Sequence, residues 1–404
     1  MRARVLTILG TRPEAIKLAP VILQLGMLRH RVRSRVCVTA QHRHLVDEVL
    51  DLFDIRADHD LRVMEEDQSP AQVMARTLQR LEPVLALEQP DWVLVEGDTT
   101  TVAAASLAAF YAGCQIGHVE AGLRSFDLRQ PFPEEAHRRI ATTLANLHFA
   151  PTVMAARNLM REGVATGRIV TTGNPVVDAL RRVAQMPPDG HPEPLAGLPA
   201  NRRILLVTAH RRESFGEPLR RICEGLLRIV RARSDVHVVL PVHPNPNVRE
   251  PVSRLLGGTA GISLVPPMGY ASLVRLLGRC YLVLTDSGGL QEEAPSLGKP
   301  VLVLRDTTER WEAVTAGVAM LVGFDPERIA SSVTRLLDEP GAYRRMCEGP
   351  GLFGDGHAAE RIVTTLLGRT ATAVQPASGP WPGQRPTCFD LPISPEARSL
   401  WLAR

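Results

Sequence analysis

Runs of apolar, β-branched residues recur along the first half of the chain, each closed by Gly, Pro or Asp and followed by a stretch with helical spacing. "VLTIL" precedes "PEAIKLAPVILQLGML", and "VCVTA" precedes "HRHLVDEVLDLFDI", which is βαβα order. "DWVLVEG", "QIGHVEAG", "LHFAP" and "RIVTTG" continue it. The strands are unbroken in polarity rather than alternating, and that predicts a parallel sheet buried on both faces. The rhythm stops at "RRVAQMPPDGHPEPLAGLPANRR", where Pro187, Pro188, Gly190, Pro192 and Pro194 crowd a polar stretch. It restarts with "RRILLVTAH", "VHVVLPVH", "ISLVPPM", "YLVLTDSGG" and "PVLVLRD". The pattern predicts an α/β chain of two Rossmann-like, doubly wound domains, residues 1–180 and 201–367, joined by a linker over 181–200. Residues 368–404, rich in Pro, Gly and Ser and without periodicity, are expected to be disordered. Two such domains face each other across a cleft between the carboxyl ends of their strands, where folds of this kind place ligands.

Composition narrows the classes. The chain has 404 residues, 45% apolar and 22% charged, as in a soluble globular protein, and no apolar run long enough to span a membrane. Its opening, "MRARVLTILGTRPE", passes from a short basic start into a brief apolar run and a turn, and reads as a strand rather than a signal peptide. The six cysteines form no C-x-x-C pair, which suits reduced thiols in a cytoplasm and gives no metal site. A net charge of +4, spread along the chain, does not point to nucleic acid.

The strand-to-helix loops carry the candidate chemistry. The chain has only two lysines, Lys17 and Lys299, and Lys17 lies in "GTRPEAIKLAP". There Gly10 closes a strand and Pro13 opens a helix, so free N–H groups, the helix dipole, Arg12 and Lys17 converge on an expected anion site. Asp98 in "VEGDTTT" and Glu120 in "GHVEAG" each follow an apolar strand, and Glu134 and Glu135 begin a helix after "QPFP". Helix capping and dipole complementarity account for each acid singly. Together, three acids on one sheet edge suggest acid–base work on a bound ligand. In the second domain His210, Arg211 and Arg212 end one strand and His243 another. The loop "TDSGGLQEEAP" sets Ser287, Gly288 and Gly289 before a helix carrying Glu292 and Glu293. The glycines let a diphosphate approach the backbone, and an acid one turn later can accept ribose hydroxyls. Arg310 follows the next strand.

These residues resemble the non-hydrolysing UDP-N-acetylglucosamine 2-epimerases. "GTRPEAIKLAP", "GDTTT", "GHVEAGLRS", "PFPEEAHR", "TGNPVVDAL", "AHRRESFGEP", "DSGGLQEEAPSLGKPVLVLRDTTER" and "GDGHAAERI" lie in the family's order, from residue 10 to about residue 365. The resemblance implies a glycosyltransferase-B-like fold, no NAD, no metal, a UDP-sugar substrate and a homodimer. It implies that Arg12, Lys17, His210, Ser287, Gly288, Gly289 and Arg310 hold UDP, with Glu293 on the ribose. Asp98, Glu120 and Glu134 match the family's catalytic acids. Its reaction removes the C2 proton while UDP leaves, forms a 2-acetamidoglucal, and re-adds UDP after protonation on the other face. Glu96 stands where most relatives have histidine, and Trp311 where they have proline. Relatives activated by a second substrate molecule use a pocket to which Gln41, His44, Arg211 and His243 correspond. His44 replaces a glutamine there and Asp67 an arginine, so weak activation is expected. A hydrolysing 2-epimerase, an epimerase of a diacetamido sugar nucleotide, a glycosyltransferase and a UDP-sugar sensor are the other readings.

Overall fold

A computed structural model of the chain describes residues 2–39, 43–65, 68–187, 197–348 and 351–368. The amino-terminal lobe opens with β1 (Ala3–Leu9), α1 (Arg12–Met27), β2 (Val32–Val38), α2 (Arg43–Leu52) and β3 (His59–Asp60). It continues through α3 (Pro70–Glu88), β4 (Trp92–Glu96), α4 (Thr100–Tyr111) and β5 (Gln115–Val119). α5 (Glu134–Leu144), β6 (Leu147–Ala150), α6 (Val153–Arg161), β7 (Ile169–Thr171) and α7 (Pro175–Ala184) follow. The second lobe runs β8 (Arg203–Thr208), α8 (Glu217–Ala232), β9 (Val236–Pro241), α9 (Pro246–Leu256) and β10 (Ile262–Val265). Then come α10 (Tyr270–Arg279), β11 (Leu282–Thr285), α11 (Leu290–Ser296), β12 (Val301–Val303), α12 (Trp311–Thr315) and β13 (Ala319–Leu321). The last helices are α13 (Pro326–Asp338), α14 (Pro340–Cys347) and α15 (Ala358–Leu366).

Every strand pair is parallel. The first sheet has 7 strands in the order β3-β2-β1-β4-β5-β6-β7, and the second has 6 in the order β10-β9-β8-β11-β12-β13. Strand order reverses between β1 and β4 in one sheet and between β8 and β11 in the other. These are two Rossmann-like domains of the glycosyltransferase-B kind, and the reversals leave crevices at the strand carboxyl ends. The strands missed by the apolar pattern are β3 and β13, both at sheet edges and only 2 and 3 residues long.

Local chemistry fixes where α1 begins. Thr11 is its N-cap, Pro13 sits in the first turn, and Glu14 closes a capping box. Gly10 is required for close packing, because a Cβ there would lie 2.2 Å from Thr39 Oγ1 and 2.4 Å from Thr101 Oγ1. Those hydroxyls bond each other at 2.9 Å, so the end of β2 and the start of α4 meet over the end of β1 with no room for a side chain.

The lobes share a core. α7 extends to Ala184, four residues into the stretch read as linker, and packs against α1 on one side and α10 and α11 on the other. The final helix leaves the second lobe altogether. Asp178 on α7 accepts from the amides of Ala358 and Ala359 at 3.2 and 2.9 Å, capping α15. α15 then lies on α1 and α7, burying Ile362, Val363 and Leu366. Each such side chain contributes about 1.5–3 kcal/mol on burial, enough to hold the chain's last described helix on its first.

Candidate active site

The end of β1, the start of α1 and the ends of β4 and β5 bring Lys17, Glu96 and Glu120 together. The Lys17 ammonium donates to Glu96 at 2.9 Å and to both Glu120 oxygens at 2.7 Å. All three residues are buried. Glu120 follows β5 directly and holds a left-handed backbone, φ 60°, which costs an ordinary side chain about 1 kcal/mol. Its carboxylate also accepts from Asn174 Nδ2 at 2.9 Å and lies 3.8 Å from Arg310. Asn174, the N-cap of α7, donates as well to Glu292 of α11, and Glu292 accepts from Arg310 at 2.8 Å. A continuous buried network of charge thus crosses from one lobe to the other.

Its electrostatics follow from who is paired. Burial opposes the charge on Glu120, but Lys17 and Arg310 outweigh it and hold the carboxyl down at about 2. Glu96 has one cation contact, and burial together with the Glu120 anion pushes it well above the ordinary carboxylate range. Burial raises Glu292 to about 7 against the pull of Arg310. Burial also opposes the Lys17 charge, yet Glu120 and Glu96 raise its proton affinity, so it remains a cation.

The expected anion site at the start of α1 differs from this arrangement. The amides of Gly10 and Thr11 both donate to Glu14, at 2.8 and 2.6 Å, and Thr99 donates to its other oxygen at 2.6 Å. An internal carboxylate occupies the place where a phosphate was expected, and Lys17 faces two acids of the protein. The signal was in the sequence: Thr11 followed three residues later by Glu14 is the capping-box spacing. Arg12 donates to the carbonyl of Met268 at 3.2 Å, across to the second lobe.

Asp98 and Glu134 lie beside this cluster in chain order and are held differently. Arg138 on α5 clamps Asp98 through Nε at 2.9 Å and Nη2 at 2.6 Å, while His137 Nδ1 donates to the Asp98 carbonyl at 3.0 Å. Glu135 accepts from Ser125 N and Arg138, both at 3.1 Å, and is wholly buried. Glu134 is half-buried, and its water-sealed Oε2 makes no hydrogen bond among the described residues. Of the two neighbouring acids, Glu135 holds the loop through Oε2, while its Oε1, like Glu134 Oε2, makes no hydrogen bond among the described residues.

The second lobe presents a different edge. Asp286, fully buried after β11, accepts from the amides of His210 and Arg211 and from Ser214 Oγ, at 2.7, 2.8 and 2.9 Å. It pins the turn after β8, a role not evident from sequence, although it lies next to Ser287. His210 stacks on His243 with centroids 5.9 Å apart. Gly288 packs under two guanidinium groups: a Cβ there would lie 3.1 Å from Arg310 Nη1 and 3.3 Å from Arg211 Nη2. Ser287 donates its amide to Thr285, and Gly289 leads into α11. Glu293 accepts from Tyr270 at 2.9 Å, and burial raises its proton affinity. Gln41 and Asp67 fall outside the described residues, as does the side chain of His44. Among the described residues no group of three or more His, Cys, Asp or Glu could hold a metal ion, and no helix is long and apolar enough to cross a membrane.

Comparison with known proteins places this arrangement. The family described as UDP-N-acetylglucosamine 2-epimerase matches residues 27–367. A UDP-N-acetylglucosamine 2-epimerase of Yersinia pestis is 50% identical over 375 residues, covering 91% of this chain and 100% of that protein. The crystal structure of the Neisseria meningitidis UDP-GlcNAc 2-epimerase bound to UDP-GlcNAc superposes with a TM-score of 0.84 at 44% identity, covering 91% of this chain and 100% of that one. An S. aureus protein solved with UDP gives a TM-score of 0.85 at 41% identity, covering 92% and 98%.

Proposed function

The chain belongs to the UDP-N-acetylglucosamine 2-epimerase family, and on that premise we propose that it interconverts UDP-N-acetylglucosamine and UDP-N-acetylmannosamine without hydrolysis. The C2 proton is removed as the anomeric C–O bond to UDP breaks, leaving a 2-acetamidoglucal. Protonation at C2 from the opposite face and return of UDP give the epimer. The observation that carries this reading is the meeting of the two strand edges: Glu120 stands 3.8 Å from Arg310, which overhangs the Gly288 turn. A diphosphate held at that turn by Arg211 and Arg310, with His210 beside them, leaves its sugar against the acids of the first lobe.

The acids are held unequally, which supports unequal roles. Glu120 is the base: kept as an anion by Lys17 and Arg310, it is a weak proton acceptor until a diphosphate draws on Arg310. Binding of the substrate itself then strengthens the base. Glu134, with an unpartnered oxygen, exchanges the proton on the other face. Asp98, clamped by Arg138, fixes the field between them. Charge gathers on the departing phosphate, so the guanidinium groups stabilise the transition state as well as the bound nucleotide. Lys17 acts on Glu120 rather than on the diphosphate. The protein works as a homodimer in this reading, and exposed Leu87, Phe110, Tyr111 and Ile140 on the neighbouring helices α3, α4 and α5 offer an apolar face for it.

Incubation with UDP-N-acetylglucosamine in D2O, followed by proton NMR, tests the reaction. Deuterium at C2 with both nucleotide epimers and no free sugar is expected. Release of N-acetylmannosamine would make the enzyme hydrolysing, and no exchange would leave a transferase or a binding protein.

A further inference from the structure

Three buried carboxyls, Glu96, Glu120 and Glu292, share two cations, Lys17 and Arg310. The other charged neighbours do not correct the imbalance. Glu309 is matched by Arg305 at 2.8 Å, and Arg211, 3.8 Å from Glu309 and 28% exposed, faces solvent and the Gly288 turn rather than Glu96, Glu120 or Glu292. Glu293 is bonded to Tyr270 and senses Lys17 only through its field. His118 on β5 is turned to the Gly97 carbonyl at 2.8 Å, and burial holds it neutral. An unmatched charge sealed from water is costly enough that a group takes up or loses a proton instead. One carboxyl of the cluster therefore holds a proton.

Bonding indicates which. Glu120 accepts from Lys17 with both oxygens and from Asn174, and Glu292 accepts from Arg310 and Asn174. Glu96 has the single contact to Lys17 and is 1% exposed. Its carboxyl meets that of Glu120 on the same Lys17 ammonium, at 2.9 and 2.7 Å. We propose that Glu96 is a neutral carboxylic acid in the working enzyme, a positioning residue that donates to Glu120 and carries the proton that makes the inter-lobe cluster electrically neutral. With the proton on Glu96, Lys17 is committed to Glu120, and Glu120 stays free to accept a proton from substrate. Loss of that proton at high pH places a second anion against Lys17 and gives the cluster a net negative charge close to where a diphosphate binds. The role rests on the epimerase reading above; the protonation state does not.

Two measurements on the full chain test it. In epimerisation assays kcat/KM reports groups of the free enzyme. For the wild type it falls on the alkaline side. Glu96→Ala loses about 100-fold, because buried Glu120 and Lys17 each lose a hydrogen-bonding partner and a void opens beside them. Glu96→Gln, which imitates the neutral acid, recovers to within about tenfold of wild type, the scale of one neutral hydrogen bond, and its alkaline fall is absent or displaced upward. A Gln variant no better than Ala, or one with the wild-type alkaline limb, overturns the proposal. The infrared difference spectrum of wild type minus Glu96→Gln at neutral pH gives the second readout, and needs neither activity nor a folded Ala variant. It is expected to contain the C=O stretch of an un-ionised carboxylic acid, and a carboxylate band in its place overturns the assignment. If the wild type does not epimerise at all, the functional reading fails while the spectrum still decides the protonation of Glu96.

Discussion

At the carboxyl edge of the first sheet, Glu96 and Glu120 are sealed from water around the Lys17 ammonium. At the same edge of the second sheet, Asp286 accepts from two backbone amides and the Ser214 hydroxyl with the His210 ring 3.3 Å away, and Arg211 and Arg310 crowd over Gly288. Both edges lie beside a reversal of strand order, so topology supplies the same kind of crevice twice. The residues that close the strands make one of them a fixed array of paired acids and the other a bare turn under guanidinium groups. The first edge pairs its acids with a cation of the protein, whereas the second sets two guanidinium groups over a glycine turn. Such a division suits a reaction in which proton positions must be fixed and a leaving group must depart and return.

The comparison can be broken most severely at Lys17. Lys17→Met leaves Glu96 and Glu120 buried without their cation, and unfolding in urea is expected to show a loss of about 3–5 kcal/mol. A loss under about 1 kcal/mol would mean that the acids are less dependent on Lys17 than their bonding shows. Glu292, at the joint between the edges, tests the charge balance by pH. Its folded proton affinity, about 7, exceeds the ordinary 4.5, so below pH 7 the folded state holds there a second proton, beyond the one on Glu96, that the unfolded state has released. That stability is present below pH 4.5 and is lost as pH rises towards 7, with a slope of up to about 1.4 kcal/mol per pH unit. Glu292→Gln removes this slope, so the stability difference between variant and wild type should change across the window; a difference constant with pH would show that Glu292 is ionised throughout. The smallest effect is sought at the open edge. Gly288→Ala pushes a methyl against Arg310 and Arg211, and overpacking of this kind costs about 1–3 kcal/mol. Here it should appear as a KM raised about tenfold with kcat little altered. An unchanged KM would remove the turn from nucleotide binding.

The strands of both sheets, apart from the short edge strands β3 and β13, were legible because unbroken apolar runs between turn residues have few other uses. The acids Asp98 and Glu120 and the Gly288 turn were legible as loop residues at strand ends, and Glu134 as the first residue of a helix. Pairing was not. Lys17 drew notice as a rare lysine, but its partners lie 79 and 103 residues away, and periodicity says nothing about which loops meet. Asn174 reads only as a helix cap, and its link to Glu120 and Glu292 exists only when two lobes are docked. Glu14 was readable from its capping-box spacing, which competed with the anion-site reading of the same helix start. The course of α15 was hidden for a similar reason: an amphipathic stripe declares that a helix has a buried face, not what covers it.

That course has a consequence for the order of assembly. The helix lying on α1 is also the last described element of the chain, capped by Asp178 and packed where Gly117 brings β5 close to Leu366. During synthesis from the amino terminus the first lobe emerges with an apolar stripe of α1 and α7 uncovered, and it stays so until the whole second lobe has left the ribosome. The two halves are therefore successive in sequence but not in maturation: the domain made first is finished last.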